Sequence, residues 1–478
     1  MQLTQPADRH GFTIAIICAL TIEADAIEEL FDETYDRHGE IYSKQFRDPN
    51  SYVTGRIGRH NVVLCYMPGI GRGAAASVAS SVRVSYTGVQ TALVVGICGG
   101  VPNPSHNDKI YLGDVIISDS VIQFDFGRQY PGGFQRKMGV KDTLGRPNQE
   151  IRSLLQGLKA RRARSDFQSK TSQYLQLPQQ SGSHWQHPGS EDILFRASFT
   201  HKHRAEALSP VCLCFTGHRE DDVCSEAVKT TCSKLACDEN HIVRRRKVQD
   251  SSVSILIGTI ASGDTVMKSG ECRDRIAASG EENVLGFEME GAGVWDNISC
   301  IVIKGVCDYA DSHKNKDWQE YAAASGASAT KAFLSIWVPI SREDSPPRLN
   351  APEIPRSPCF VGRATEMEEL RSAFLSGGTF DRTLLLQGPP GIGKSALTVE
   401  YVERFRHKHK DIFWFDASSI PNLISSSSAI RKQINNKFPS TGSVGTVNAD
   451  LFRRHTQEHQ VAELWQAFAF IGSRRANY

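Results

Sequence analysis

The chain has 478 residues and a formal net charge of +2, and 40% of its residues are hydrophobic. This length predicts about three domains, and the balanced charge excludes a strong general attraction to nucleic acid or to a membrane surface. Because no apolar run reaches about 18 residues, we expect no membrane span. The twelve cysteines are scattered, several of them within apolar strands, which favours reduced thiols and a cytoplasmic location over a disulfide framework.

The N-terminal region predicts an α/β fold in which apolar strands alternate with helices. Residues 12–19 are expected to form a strand, and residues 21–31 a helix whose first turn carries Glu23. A predicted hairpin over residues 52–67 leads into the turn Pro68-Gly69-Ile70-Gly71 and then into a helix of small residues. This turn lacks the lysine and serine of a phosphate loop and is a weak signal by itself.

A second glycine-rich segment follows a predicted buried strand over residues 91–95. Its sequence is Gly96-Ile97-Cys98-Gly99-Gly100, where the missing side chains would let the backbone approach a ligand closely. The apolar run over residues 112–118 then predicts another strand.

Residues from about 146 to 250 interrupt this pattern, because they are rich in Ser, Gln, His and Arg and weak in periodicity. We interpret them as an insertion that is largely surface loop and partly disordered. The basic run over residues 244–247 is most simply a solvated turn, with a nuclear signal as the alternative. A zinc cluster is conceivable, but no C-x-x-C pair with matching histidine spacing exists, so metal binding is not the favoured interpretation. The candidate ligands here are Cys212, Cys214, Cys224, Cys232, Cys237, His201, His203, His218 and His241.

Apolar strands return at residues 253–267, which contain the loop Ala261-Ser262-Gly263-Asp264-Thr265-Val266. The next segment, residues 286–312, predicts a short helix that starts near Glu288 and Glu290, and then a strand over residues 300–306. A final helix is expected over residues 318–337.

Two carboxylates of this segment are predicted to meet at one edge of the sheet. Ligands of open α/β sheets bind in the crevice outside the carboxyl ends of the strands. Asp308 follows the predicted strand directly, and Glu290 lies on the neighbouring element, so both would face that crevice.

These motifs resemble those of the nucleoside phosphorylase and nucleosidase superfamily, of the purine and uridine phosphorylase type. The resemblance lies in Glu288-Met289-Glu290, in Cys307-Asp308-Tyr309-Ala310-Asp311 and in the order of the glycine-rich turns. Cys307 stands where serine is commoner. The resemblance covers residues 10–338 without the insertion, and it implies a mixed sheet flanked by helices.

By this resemblance, the chain cleaves the N-glycosidic bond of a purine nucleoside or nucleotide. Asp308 would share a proton with the departing base, and Glu290 would hold the sugar hydroxyls and stabilise the developing positive charge. Glu23 would bind the attacking water. Substrate contacts would come from Met289, Val266, Gly99 and Ile97.

Hydrolysis is the favoured reaction, because an acidic Glu23 and the apolar Val94 and Val95 stand where the phosphorylases carry arginines for phosphate. Arg72 or Arg128 could still supply a cation, so phosphorolysis with inorganic phosphate remains an alternative. A catalytically silent module for nucleoside binding or oligomerisation is a third one. The N-terminal domain needs no other cofactor, and the family resemblance implies a homo-oligomer.

A domain boundary is predicted at residues 339–358, which contain six prolines and read as a semi-rigid linker. Beyond it, a strand over residues 382–387 precedes a complete G-x-x-x-x-G-K-[ST] phosphate loop and a helix. Lys394 would reach the β- and γ-phosphates of ATP or ADP, and the Ser395 hydroxyl would bind Mg²⁺. The glycines of this loop are Gly388, Gly391 and Gly393.

The phosphate loop, with Phe360-Val361-Gly362-Arg363 before it and an apolar strand at residues 412–417 after it, resembles the NB-ARC-type signalling ATPases. We find no second apolar strand ending in aspartate after it, so residues 359–478 are expected to be the truncated N-terminal part of such a domain. A nucleoside-cleaving domain joined to an NB-ARC start resembles the fungal NOD-like receptor proteins. There the first domain is the effector and the ATPase is the switch.

Overall fold

The computed structural model describes residues 5–105, 108–139, 142–144, 147–203, 224, 226–245, 253–279, 283–338, 362–375, 386–389, 391–405, 413–415 and 468–470. The chain divides into two compact units, Met1–Val338 and Pro339–Tyr478. Within the described part of the chain, no helix has both the length and the apolar character needed to cross a bilayer.

The described part of the first unit is built on eleven strands, three of which are buried along their whole length. The eleven strands are Ile14–Cys18 (β1), Glu33–Asp36 (β2), Ser51–Ile57 (β3), His60–Tyr66 (β4), Thr91–Gly100 (β5), Val115–Gln123 (β6), Gly127–Tyr130 (β7), Gly133–Arg136 (β8), Ile255–Ser262 (β9), Val284–Glu288 (β10) and Cys300–Asp308 (β11). Every residue of β1, β10 and β11 is buried, as expected for strands that are covered on both faces.

Nine of these strands form one mixed sheet in the order β10-β9-β6-β11-β5-β1-β4-β3-β2, and β7 pairs with β8 as a separate hairpin. The neighbours β4, β1, β5 and β11 run parallel, while β6 runs antiparallel to β11. An additional antiparallel pairing joins β10 to β5, with Phe287 opposite Gly99. This pairing closes β5, β11, β6, β9 and β10 into a ring, so that the ends of β5, β10 and β11 lie together.

Helices flank the sheet, which confirms the predicted mixed α/β fold. They are Thr21–Glu28 (α1), Arg72–Ser85 (α2), Gln149–Leu158 (α3), Arg161–Ser181 (α4), Gly270–Ala278 (α5), Gly291–Trp295 (α6) and Gln319–Ile336 (α7). The small residues of α7 let it approach the sheet closely. A Cβ atom on Gly305 of β11 would lie 1.9 Å from the carbonyl oxygen of Ala322, so only glycine fits there.

The insertion is more ordered than the sequence predicted. Its expected surface loop contains α3 and α4, and Ile151, Phe167 and Trp185 of this region are buried in the main core. The indole Nε1–H of Trp337 donates to Glu150 Oε1 at 2.9 Å, which ties α3 to the end of α7. The polar composition misled the prediction, because an amphipathic helix needs only one apolar stripe to pack against a core.

Three predicted boundaries also differ from the structure. β5 continues through the glycine-rich segment to Gly100, because the backbone of these residues pairs with β10 and β11. Glu288 is the last residue of β10, and α6 begins only at Gly291. Asp308 ends β11 itself and does not follow it.

In the second unit the described elements are Ala364–Leu375 (α8), Lys394–Phe405 (α9), Phe413–Phe415 (β12) and Phe468–Phe470 (β13). β12 and β13 pair antiparallel. Apolar residues of α8 and α9 pack together, among them Met367, Leu370 and Leu397. The predicted linker over residues 339–358 and most of the predicted strand over residues 382–387 lie outside the described residues.

Candidate active site

Register within the sheet places the candidate residues at the shared end of three strands. Asp308 pairs with Gly99, and Lys304 pairs with Gly96, along the parallel strands β11 and β5. On the other side of β5, Phe287 of β10 pairs with Gly99, one residue before Glu288. The motifs for Glu290 and Asp308 therefore lie at one edge of the sheet, on either side of the glycine-rich end of β5.

Glu23 lies in the first turn of α1 and points back over the end of β1. Its Oε2 accepts hydrogen bonds from the backbone N–H groups of Ala19 and Leu20, both at 2.9 Å, and Oε1 accepts one from Ile97 at 2.8 Å. Glu23 is 3% exposed. Burial raises the pKa of its carboxyl above the ordinary value, although the nearby ammonium of Lys304 acts against this shift.

Close contact between Glu23 and β5 requires a glycine at position 96. A Cβ atom on Gly96 would lie 1.9 Å from Glu23 Oε1 and 2.2 Å from its carboxyl carbon. Those distances are far shorter than van der Waals contact, so any other residue would displace the carboxylate. The glycine-rich segment thus holds a catalytic candidate in place.

Glu290 is the residue before α6, and it is joined to a lysine in the middle of β11. Lys304 Nζ donates to Glu290 Oε2 at 3.0 Å and lies 3.8 Å from Glu288 Oε2. The Glu288 carboxylate in turn accepts hydrogen bonds from the backbone N–H groups of Glu290 and Gly291. Burial works against a charged Lys304, but the three surrounding glutamates raise the pKa of its ammonium above the ordinary value.

Asp308 is held by the loop that follows it. Its Oδ1 accepts a hydrogen bond from the backbone N–H of Ala310 at 2.8 Å, and its Oδ2 lies 3.2 Å from Lys314 Nζ. A Cβ atom on Gly99 would lie 2.8 Å from Asp308 Oδ1, so this glycine also gives space to a carboxylate. The Cys307 thiol, at the position where serine is commoner, donates to Asp308 Oδ2 at 3.3 Å.

The four residues predicted to contact the substrate differ in location and in exposure. Gly99 and Ile97 lie on β5 beside Asp308 and Glu23. Met289 is half-buried in the turn between β10 and α6. Val266 is 45% exposed in the loop that follows β9. Their contact with a substrate stays a prediction.

The sequence analysis assigned no role to three cationic side chains of this region. Lys304 and Lys314 pair with the carboxylates, and the fully buried Arg273 donates from Nη1 to the carbonyl oxygen of Tyr309 at 2.7 Å. A lysine in an otherwise apolar buried strand was the available signal for Lys304, since a buried charge requires a partner. For Arg273, on α5, no sequence signal indicated burial.

The cations considered for phosphate binding are partly engaged elsewhere. Arg72 donates from Nε to Asp264 Oδ2 at 3.0 Å, and its Nη1 lies 3.7 Å from Asp125 Oδ1. Arg128 is exposed on the hairpin of β7 and β8. Arg72 is thus paired with carboxylates, and Arg128 lies on a hairpin that is separate from the main sheet.

The phosphate loop of the second unit precedes α9 directly. Gly391 and Gly393 have φ angles of 79° and 91°, a backbone conformation that favours glycine. Lys394 Nζ donates to the carbonyl oxygens of Gly388 and Pro389 at 2.8 and 2.9 Å, so the lysine lies across its own loop. Ser395 is half-buried in the first turn of α9. The binding of a nucleotide phosphate and Mg²⁺ by this loop stays a prediction.

Residues 13–176 match the model of the family described as the Phosphorylase superfamily. The match lies in the first part of the N-terminal unit, and it confirms the resemblance to this superfamily that was drawn from the motifs.

Among curated proteins, the chain is similar to a nucleotide-binding leucine-rich repeat (NLR)-like protein of Hyaloscypha variabilis, with 30% identity over 428 residues. The match covers 86% of this chain and 38% of the relative, so the chain spans less than half the length of this curated relative.

Several solved nucleosidase structures also align with the chain. One is the 5′-methylthioadenosine/S-adenosylhomocysteine nucleosidase of Neisseria meningitidis, at 16% identity and a TM-score of 0.38, covering 68% of this chain and 98% of that chain. The corresponding nucleosidase of S. pneumoniae has 19% identity and a TM-score of 0.40, with 68% and 99% covered. Futalosine hydrolase of Helicobacter pylori has 18% identity and a TM-score of 0.35, with 68% and 97% covered.

Proposed function

We propose that the N-terminal domain hydrolyses the N-glycosidic bond of a purine nucleoside or nucleotide. The observation that carries this proposal is the environment of Glu23. A carboxylate has about four acceptor positions, and three backbone N–H groups occupy three of those of Glu23. One position remains for a water molecule, in a site where burial raises the pKa of the carboxyl and so makes it a stronger base.

In the proposed reaction, the bond between the sugar C1′ and the purine nitrogen breaks, and its electron pair goes to the base. Asp308 delivers or shares the proton that neutralises the departing purine. Glu290, fixed by Lys304, holds the sugar hydroxyls while positive charge develops on the ring. Water adds to C1′ and gives its proton to Glu23, so the products are the free base and the free sugar.

Hydrolysis is favoured over phosphorolysis by the charge around the position proposed for the nucleophile. Inorganic phosphate is anionic and would be repelled by Glu23, whereas water gains a base there. Arg72, one candidate for a phosphate ligand, already pairs with Asp264 and lies near Asp125. The other candidate, Arg128, is on the exposed hairpin.

The test is base release by the full chain from a panel of purine nucleosides and nucleotides, with and without inorganic phosphate. We expect equal rates in both conditions and a free sugar, or a ribose phosphate from a nucleotide, as the second product. Strict dependence on phosphate, with ribose 1-phosphate formed, would replace hydrolysis by phosphorolysis. No base release from any substrate would favour the silent binding or oligomerisation module.

We further propose that the second unit binds ATP or ADP with Mg²⁺ through the phosphate loop and controls the first unit as a signalling switch. Lys394 and Ser395 would hold the phosphates and the metal ion, and the ion would neutralise phosphate charge. The similarity to a nucleotide-binding leucine-rich repeat (NLR)-like protein supports nucleotide binding, and such a switch would act through homo-oligomer assembly.

A further inference from the structure

Four side chains with metal-binding atoms converge beside the loop that follows β11. They are His201, Cys232 and Cys237 from the insertion and His313 from that loop, and their ligand atoms all lie within 4.8 Å of one another. Cys232 Sγ is 3.6 Å from Nδ1 of each histidine. Cys237 Sγ is 3.4 Å from His201 Nδ1. A set of two thiols and two imidazoles is a common ligand set of structural zinc sites.

Both histidines are oriented for metal binding by their second ring nitrogen. His201 Nε2 lies 2.8 Å from the carbonyl oxygen of Thr230, and His313 Nε2 lies 2.9 Å from that of Phe199. A carbonyl oxygen can only accept, so each Nε2 must carry the proton. Each Nδ1 therefore has its lone pair free to face the thiols, which is the usual arrangement of histidines that bind zinc.

The distances between ligand atoms fit a tetrahedral ion. With Zn–S of about 2.3 Å and Zn–N of about 2.0–2.1 Å, tetrahedral sulfur and nitrogen ligands are about 3.6 Å apart. The three measured S···N separations are 3.6, 3.6 and 3.4 Å. Both histidines are also more than nine-tenths buried, whereas the two cysteines are half-buried, so the cluster lies at the margin of the core.

We propose that His201, Cys232, Cys237 and His313 bind a structural zinc ion, which joins the insertion to the loop that directly follows the catalytic candidate Asp308. Four protein ligands leave no open coordination position, so the ion would hold structure and would not activate water.

The ion would stabilise the loop between Asp308 and Lys314. His313 is one residue before Lys314, whose Nζ lies 3.2 Å from Asp308 Oδ2. The backbone N–H of His201 also donates to Ser312 Oγ at 2.9 Å, so the insertion already contacts this loop. If the proposed function is correct, loss of the ion would loosen Asp308 and slow base release. The metal site itself does not depend on that function.

Metal content of the purified full chain tests the site directly. Elemental analysis after growth with zinc should give about one zinc per chain, and X-ray absorption should show two sulfur and two nitrogen ligands. Zinc absent from protein whose Cys232 and Cys237 both react with a thiol reagent would overturn the proposal. So would a loss of two mass units that shows a disulfide between them.

Three variants give the matched comparison. Cys237→Ser should lose most of the zinc, whereas Cys237→His keeps a ligand and should retain at least half of it. Cys272→Ser, a half-buried cysteine on α5 outside the cluster, should bind zinc like the wild type. Equal zinc in Cys237→Ser and the wild type would overturn the site. Thermal unfolding of each variant shows whether it is folded, and so separates zinc loss from general misfolding. A folded Cys237→His that fails to bind zinc would count against the proposed geometry of the site.

Base release is measured separately on the same samples. Bound zinc without base release would overturn the proposed enzymatic function and leave the metal site standing. Base release by wild-type protein that holds no zinc after growth with zinc would overturn the metal site and leave the enzyme standing.

Discussion

Lys304 Nζ donates a 3.0 Å hydrogen bond to Glu290 Oε2, and the two side chains are only 1% and 6% exposed. Glu288 lies on the same ammonium at 3.8 Å. A single buried cation therefore balances carboxylates that come from different elements of the fold. It also fixes one oxygen of Glu290, the residue proposed to hold the sugar.

Replacing Lys304 by Met should strongly destabilise the N-terminal unit. The change leaves Glu288 and Glu290 buried without their cation, and breaking a buried ion pair in this way costs about 3–5 kcal/mol. Chemical denaturation measures this loss as a lower free energy of unfolding. Lys159→Met is the matched control, since its ion pair with Asp119 is 40% and 30% exposed and should change stability by less than about 1 kcal/mol. Similar losses in both variants would contradict the role given to Lys304.

Asp308→Asn and Glu290→Gln should each lower base release by about 10²–10⁴-fold. Asp308→Asn keeps the size of the side chain and removes its proton, so its loss should appear in kcat more than in stability. Glu290→Gln also breaks the buried ion pair with Lys304 and should lower the free energy of unfolding as well. The exposed Asp317→Asn serves as control and should keep full activity. Near wild-type turnover in a folded Asp308 or Glu290 variant would remove that residue from the mechanism.

Glu23 should control the acid side of the pH profile. Burial raises the pKa of its carboxyl, and the base must be ionised to accept a proton from water. Activity should therefore fall as pH decreases through that raised pKa, and Glu23→Gln should release base slowly at every pH. If base release by Glu23→Gln depended on pH as in the wild type, Glu23 would be ruled out as the residue that accepts the proton from water.

The same shift in the pKa of Glu23 affects folding stability in the opposite sense. The folded state holds the proton more tightly than the unfolded chain, so the Glu23 contribution to stability grows as pH falls towards the ordinary carboxyl pKa.

Gly96→Ala should inactivate the enzyme although it adds one methyl group. The new Cβ atom would lie 1.9 Å from Glu23 Oε1 and would move the carboxylate out of its three hydrogen bonds. Gly157→Ala on α3 is the matched control. Nothing lies within 4 Å of its added Cβ atom, so activity should be unchanged and stability unchanged or about 0.4–1 kcal/mol higher. Base-release rates and thermal unfolding of both variants decide the point, and an active Gly96→Ala would contradict the placement of Glu23.

Lys394→Ala should abolish the binding of ADP with Mg²⁺ to the phosphate loop, because the lysine supplies the charge that meets the phosphates. Calorimetric titration of the full chain measures this binding. Arg371→Ala, at an exposed cation of α8 that pairs with Glu368, should bind like the wild type. We also expect little ATP turnover by this chain, because residues 418–478 contain no apolar run that ends in aspartate. Steady turnover that Lys394→Ala blocks would show that this expectation was wrong.

Motifs whose residues are close in sequence could be predicted without a structure. The alternation of apolar strands with helices predicted the mixed sheet. The glycine-rich turns and the paired motifs around Glu290 and Asp308 predicted the family. The family model confirms it over residues 13–176, which contain the glycine-rich turns. Local chemistry was enough for these inferences, because residues one turn apart or at the end of one strand are positioned by the backbone itself.

Only the tertiary structure shows how the side chains are joined. Lys304 is an isolated cation in its strand. It is surrounded by Glu23 of α1 and by Glu288 and Glu290, which lie at the end of β10 and in the turn after it. His313 lies 76 positions after Cys237 and outside the insertion, so no spacing rule could add it to the zinc ligands. The physical reason is the same in both cases. Burial forces a charge or a thiol to find partners in space, and chain folding, which sequence spacing does not encode, decides which partners lie within reach.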